Sequence, residues 1–417
     1  MLVPAAGAVG FGTPQALTGQ VQRSFSGDLN VDGLADVVQV GSWRLGSWIR
    51  VLLGSQSGLS TLPALTLSQF TTGSPPGSVV STALGDVDND GDEDVVVSFS
   101  QGGIQVFTND GQANLTAQPV TGPVGTALSS IVLADFDSDG NLDVAGSIGG
   151  IFTAGSFVKV SSGDGTGSFS SITTNAILGY NPREIVVVDL NGDGKVDLVA
   201  GSSFSNSDRN ISTRDIYVAI NTGTGSWLST ESYEVNFNPY SLAAGDFNND
   251  GWADIVVTAS SRLYILTNSA DGSGSLLDPV QVASVAVDTV RAAHLDNDGV
   301  LDLVGSGVML PGDPDTTFGS PVYASGFTPA QPADYNGDGF VDVAASGVVW
   351  YGVEEPAFDF QVLPQPFVNL GRRHQFMTQA LNSTIPTQSV DWAVSEGSIQ
   401  RGSPRGVYIA PDTIPAS

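Results

Sequence analysis

A nine-residue pattern recurs seven times along this chain, with acid or amide at positions one, three and five, glycine at six and aspartate at nine. Its fullest copy is Asp86-Val-Asp88-Asn-Asp90-Gly91-Asp-Glu-Asp94, followed by Val95-Val96-Val97, and the other copies begin at Asp28, Asp135, Asp189, Asp246, His294 and Asp334. Successive starts lie 58, 49, 54, 57, 48 and 40 residues apart, the length of one small antiparallel unit, so the chain is a repeat architecture.

Side chains at alternate positions of a tight loop converge on one point, and hard oxygen donors there suit a hard divalent cation, calcium above all. Glycine at position six permits the sharp turn. The expected side-chain ligands are Asp28, Asn30, Asp32 and Asp36, then Asp86, Asp88, Asp90 and Asp94, then Asp135, Asp137, Asp139 and Asp143. They continue with Asp189, Asn191, Asp193 and Asp197, then Asp246, Asn248, Asp250 and Asp254, then Asp296, Asp298 and Asp302, and finally Asp334, Asn336, Asp338 and Asp342. Position seven offers a backbone carbonyl, from Leu34, Asp92, Asn141, Lys195, Trp252, Val300 and Phe340. The sixth loop departs from the pattern, because His294 stands at position one and imidazole is a poor calcium ligand. Six or seven sites are therefore expected, the sixth loop being weakened or vacant with its histidine packing or capping a backbone group. The alternative for that loop is a site altered for manganese or zinc.

An EF-hand shares the first half of the pattern but needs a bidentate glutamate at position twelve, on a helix. Here position twelve is Gln39, Val97, Gly146, Ala200, Val257, Gly305 and Ala345, and the residues after position nine are β-formers such as Val37-Val38, Leu198-Val199 and Ile255-Val256-Val257. Each loop thus feeds a strand.

Seven such loops, each with an apolar strand on either side, resemble the FG-GAP/VCBS repeats of integrin-α-like β-propellers, over about residues 8–355. The resemblance implies an all-β, seven-bladed β-propeller whose calcium loops join the first and second strands of four-stranded blades. Residues 8–18 precede the first loop and resemble the later Thr317-Phe-Gly-Ser-Pro-Val-Tyr, an outer strand. They are expected to complete the seventh blade and so remove an exposed edge.

Composition narrows the function classes. Zero cysteines exclude disulfides, thiolate metal sites and thiol catalysis. The formal charge of -29 disfavours nucleic acid and anionic membranes, and 23 of the 43 acids are candidate ligands, so seven divalent cations bring the charge to -15. No apolar run approaches the roughly 20 residues of a membrane span. Weak calcium loops fill at roughly 0.1–1 mM calcium, which points to an extracellular or cell-surface home. The start Met1-Leu-Val-Pro-Ala-Ala does not read as a signal peptide, and the natural precursor is expected to carry more sequence upstream.

Two turns are candidates for ligand binding. Gly41-Ser-Trp43-Arg44-Leu-Gly-Ser, with Trp48, can stack on a sugar ring or grip a carboxylate, or its rings can pack between blades. The polar insertion from Ser202 to Arg214, with Arg209, is the longest in the repeat and is expected on the same face of the disc, opposite the calcium loops. Residues 356–417 carry Trp392 and Gly406-Val-Tyr408-Ile-Ala-Pro411, and resemble the first half of a bacterial Ig-like domain, which implies a fragment of a longer surface protein.

His294 and His374 are the chain's two histidines, in different expected domains, and no nucleophile elbow or phosphate loop accompanies them. The leading expectation is a non-enzymatic, monomeric, calcium-stabilised adhesion or recognition module for an extracellular carbohydrate or protein. The alternatives are a polysaccharide lyase or hydrolase on a propeller scaffold, and an architectural spacer.

Overall fold

The computed structural model describes residues 10–11, 15–16, 23–43, 46–61, 65–66, 77–124, 127–148, 156–169, 174–179, 182–206, 211–228, 231–235, 237–259, 261–296, 298–305, 307–323, 331–345, 348–353, 360–362, 373–375, 378–380, 398–400 and 407–409. The chain divides into Phe11–Gly352 and a second unit formed by Met1–Gly10 with Val353–Ser417. No helix occurs among the described residues.

Phe11–Gly352 is a seven-bladed β-propeller. Each blade is an antiparallel meander whose second strand begins at the ninth loop position, as in Val79–Gly85, Asp94–Phe99, Gly102–Thr108 and Thr116–Ala117 of blade two. In blades one and two the fourth position is split, two short strands pairing with the third. The first strands of successive blades neighbour one another in a closed circuit, with Gln331–Ala333 of blade seven beside Arg23–Gly27 of blade one. Blade seven takes its outer strand from the chain's beginning, Gln15 pairing with Val349 and Ala16 with Val348, as the early segment predicts.

The strand composition follows from this stacking. A second strand lies in mid-blade with a neighbouring blade on each side, so Asp94–Phe99 and Asp254–Ala259 are buried at every residue. They therefore read as continuous runs rather than as alternation. The apolar side chains form wedges between consecutive blades: Val38, Val40, Ile49 and Val51 of blade one meet Val95, Val97, Phe99 and Phe107 of blade two. Equivalent wedges join blades two to three, three to four, four to five, five to six and seven to one.

Two turns differ from their sequence reading. The insertion after Ser202 is a continuation of the ladder, Asp197–Asn206 pairing with Ile211–Ala219 out to Asn206 opposite Ile211, because its alternating Ser, Thr and Phe can sustain a hairpin. The blade-one turn tightens similarly, Asp36–Trp43 pairing with Gly46–Leu53. The Ig-like expectation for 356–417 falls largely outside the described residues. Within that stretch Phe360–Val362 pairs with Thr378–Ala380, and Val407–Ile409 lies between Arg373–Gln375 and Ser398–Gln400.

Candidate metal centres

The seven loops share one backbone design. The position-six glycines hold φ between 81° and 97°, the left-handed region that suits glycine. Position four is also left-handed, at Val31, Asn89, Ser138, Gly192, Asn249 and Gly337. These two inversions curl the loop so that its N–H groups point inward at its own carboxylates. The first-position aspartate accepts from the glycine N–H in six loops, for example Gly33 to Asp28 at 2.9 Å and Gly251 to Asp246 at 2.8 Å. The fifth-position carboxylate accepts from the N–H of position seven in all seven.

The ninth-position aspartate has a second task that its spacing did not reveal. Asp36, Asp94, Asp143, Asp197, Asp254, Asp302 and Asp342 are all buried. In each, one carboxylate oxygen accepts the N–H of loop position two, as from Leu190 to Asp197 at 2.9 Å. The other accepts the N–H of the first or second residue past the third strand, as from Asn221 to Asp197 at 2.8 Å. One side chain thus staples three segments of a blade. Burial pushes its carboxyl up to about 6 in Asp36, Asp94, Asp143, Asp197 and Asp254 and to about 7 in Asp342, the two backbone N–H donors pulling the other way.

Two further positions belong to the site and were not read from the sequence. Position two is apolar and buried in every loop: Leu29, Val87, Phe136, Leu190, Phe247, Leu295 and Tyr335. Its carbonyl is often taken by the neighbouring blade, as Val87 O accepts from Gly167 N and Leu190 O from Asn268 Nδ2. The residue past the third strand that donates to this aspartate is always glycine or asparagine: Gly54, Asn109, Gly163, Asn221, Asn268, Gly312 or Gly352. It faces the carbonyl at loop position eight. A Cβ at Gly163 would come 2.2 Å from Leu142 O, and one at Gly312 2.1 Å from Leu301 O. Where asparagine stands there, its Nδ2 donates to that carbonyl, at 3.1 Å in Asn109 and Asn268 and 3.2 Å in Asn221.

The donor set fits a hard cation. Carboxylate oxygens of Asp86, Asp88 and Asp94 lie within 4.8 Å of one another, as do those of Asp135, Asp137 and Asp143. These acidic groups can hold a metal ion, and Asp88 Oδ1 is buried with no hydrogen-bond partner, an atom in need of one. Four other loops have asparagine at position three, and in three of them its Nδ2 already donates to the fifth-position carboxylate, at 2.9 to 3.0 Å. In the sixth loop His294 Nδ1 lies 2.9 Å from Val300 O, the carbonyl of position seven. The ring therefore caps a backbone group, and it occupies the carbonyl that would be the position-seven ligand of a cation.

The expected ligand face is not one cluster. Trp48 lies across Gly41 of its own blade, where a Cβ would come 2.3 Å from the ring, and Arg50 stacks over it with Cζ 5.3 Å from the ring centre. That ring is packed within its blade. The Trp43 backbone pairs with Gly46, and its side chain lies outside the described residues, as do Arg44 and Arg209. Arg214 is exposed on the third strand of blade four, opposite Ser203, three blades round the ring from Trp48. Strand direction places the last described pairs of both hairpins, Trp43 with Gly46 and Asn206 with Ile211, at the end of the propeller opposite the loops.

Family models described as an FG-GAP-like repeat match residues 28–97, 86–146, 204–257 and 246–305, and one described as an FG-GAP repeat matches residues 181–214. Among solved structures, an Agrocybe aegerita lectin described as recognising non-reducing terminal N-acetylglucosamine is similar, with 19% identity and a TM-score of 0.52. The likeness covers 80% of this chain and 86% of that one.

Proposed function

From a chain that belongs to the FG-GAP-repeat family of β-propellers, we infer a calcium-stabilised recognition module for extracellular carbohydrate, in which the metal is structural and the ligand sits at the opposite end. The observation that carries the structural role is the ninth-position staple: the residue that closes each acidic loop is the same one that fixes three backbone segments of the blade. Calcium at such a loop joins the scaffold. Its contribution is to neutralise clustered carboxylates and lock their geometry. Asp86, Asp88, Asp90 and Asp94 and their counterparts in the other loops would hold it.

Recognition is assigned to the other end because the two longest hairpins, in blades one and four, extend there from a rigid base. The lectin of similar fold supports carbohydrate as the ligand class. The module is proposed to bind rather than to turn over its ligand. A glycan array probed with the whole chain tests this, and carbohydrate bound without release of reducing ends is the expected result. Reducing ends released from a polysaccharide would favour the enzyme instead, and no glycan bound at all would remove the reading.

Metal count tests the calcium assignment separately. Elemental analysis of protein dialysed against millimolar calcium, with the calcium of the buffer subtracted, is expected to give six calcium ions per chain. His294→Asp, which frees the Val300 carbonyl and restores a carboxylate, is expected to give seven. An unchanged count in that variant would mean that the histidine does not govern the sixth loop.

A further inference from the structure

Charge is segregated along the propeller axis. The loops and the turns after the third strands carry the carboxylates, and Lys195 is the one Lys or Arg among the loop residues. Arg23, Arg183, Arg262 and Arg291 stand first or second in strands that run toward the loops, so all four lie at the other end. Three of them are on first strands, those of blades one, four and six, which line the central channel.

Arg291 reaches from blade six to Glu184 on blade four, Nη1 to Oε1 at 3.2 Å. The other oxygen of Glu184 accepts the N–H of Leu242 on blade five at 3.1 Å. Both oxygens of that carboxylate are thus engaged, and it holds Arg291 in place. Arg23 on blade one makes no ion pair within 4 Å among the described residues. It is exposed, yet burial among protein walls lowers its guanidinium pKa, with Glu184 acting to raise it and Arg291 to lower it further. Arg23, Glu184 and Arg291 all stand near the start of first strands, and those strands neighbour one another round the closed ring. Two guanidiniums and one fully engaged carboxylate therefore share this mouth. Beside it, Arg183 lies with Cζ 5.9 Å from the ring of Tyr240, which is 39% exposed. Among the described residues, the other acids at this end, Asp215, Glu234 and Asp288, lie on the outer strands of blade four and in the connection into blade six.

We propose that the channel mouth opposite the metal loops binds the carboxylate group of an acidic carbohydrate, gripped by Arg23 and by Arg291 as Glu184 holds it, with Tyr240 beside them to stack on the sugar ring. This rests on the carbohydrate reading and names its ligand class. Guanidinium forks match carboxylates in a planar, two-point contact, and an aromatic face beside them accepts the apolar side of a pyranose. In a chain of charge -29 the local reversal of sign is also what steers an anionic sugar to this end.

Calorimetry of the calcium-loaded whole chain with trigalacturonate, chitotriose and sodium sulfate tests the proposal. Trigalacturonate is expected to bind, to lose about tenfold in affinity in Arg23→Gln, and to weaken steeply as salt rises from about 50 to 300 mM. Arg23→Lys, which keeps the charge without the fork, is expected between the two. Arg23 has no ion pair to lose among the described residues, so the melting temperature of Arg23→Gln should match that of the wild type. Equal trigalacturonate affinity in Arg23→Gln overturns the proposal, and so does sulfate binding as tightly as trigalacturonate, which would mark a general anion site. Chitotriose bound without trigalacturonate overturns it while leaving the carbohydrate reading intact. No sugar bound here or on the array removes both.

Discussion

Asp197→Ala is expected to destabilise the propeller by about 2–4 kcal/mol even with all metal removed, because it strands two buried N–H groups at about 1–3 kcal/mol each, less the relief of not burying a carboxylate. Those donors are Leu190 N and Asn221 N, and both lie inside the blade, where water does not replace the lost acceptor. Asp189→Ala, in the same loop, is the contrasting variant. Its carboxylate accepts from Gly192 N and Gly194 N in an exposed setting. Solvent takes over there, so the loss without metal should stay below about 1 kcal/mol. Urea unfolding of both variants in chelator measures the difference. Equal losses would mean that the ninth aspartate is a ligand like the others and no staple.

The residue facing that staple obeys the same logic from the other side. Gly163→Ala puts a methyl group 2.2 Å from Leu142 O, and the strand must move to admit it. Asparagine occupies the equivalent position in Asn109, Asn221 and Asn268 and turns the same close carbonyl into a hydrogen bond. The choice between glycine and asparagine, never alanine, is thus a choice between giving way to the carbonyl and bonding it.

How much of this was legible in the sequence depended on whether a signal lay within one repeat or between repeats. The loop pattern, the strand it feeds and the count of blades are local, and hydrophobic runs such as Val95-Val96-Val97 identify a strand covered on both faces. Closure by the early segment could be read because Gly-Ser-Pro-Val-Tyr had a visible counterpart near the start. The staple could not, because its partners, Asp197 and Asn221, lie 24 residues apart and meet only when the third strand returns. The Gly or Asn at that point was nonetheless visible in every repeat, as was the apolar residue at position two. Neither position belongs to the alternating set of loop ligands, so a pattern defined by converging oxygen donors does not include them. Trp48 misled for a related reason: an aromatic near a turn suggests a binding face, while the Gly41 that receives its ring is on the neighbouring strand. The channel arginines carried no local signal at all. Arg23, Glu184 and Arg291 are brought together solely by the closing of the ring.

Calcium removal is expected to lower the melting temperature by about 10–20 °C at neutral pH, and the pH dependence is expected to change sign with the metal. A site filled at a tenfold excess over its Kd contributes about 1.4 kcal/mol, and six such sites outweigh any single substitution. The sign follows from the buried carboxyls. Without metal, the folded state raises Asp36, Asp94, Asp143, Asp197 and Asp254 from 3.8 to about 6 and Asp342 to about 7, chiefly by burial, and the fifth-position charge of the same loop, with that of the first or third position, adds to the rise. A group whose folded pKa is raised binds its proton more tightly in the folded chain. The stability it contributes is present in full below about 4 and is lost as pH rises through about 6 to 7. The metal-stripped propeller should therefore melt higher at pH 5 than at pH 8. Calcium requires the ionised carboxylates, so protonation competes with it and the loaded protein should melt lower at pH 5 than at pH 8. The two melting curves are expected to lie furthest apart near pH 8 and to converge toward pH 5. Scanning fluorimetry of chelator-stripped protein, with and without millimolar calcium, measures both slopes in one experiment. Parallel slopes would show that the loops carry no titrating metal ligands, and the stapled aspartates would then stand as scaffold alone.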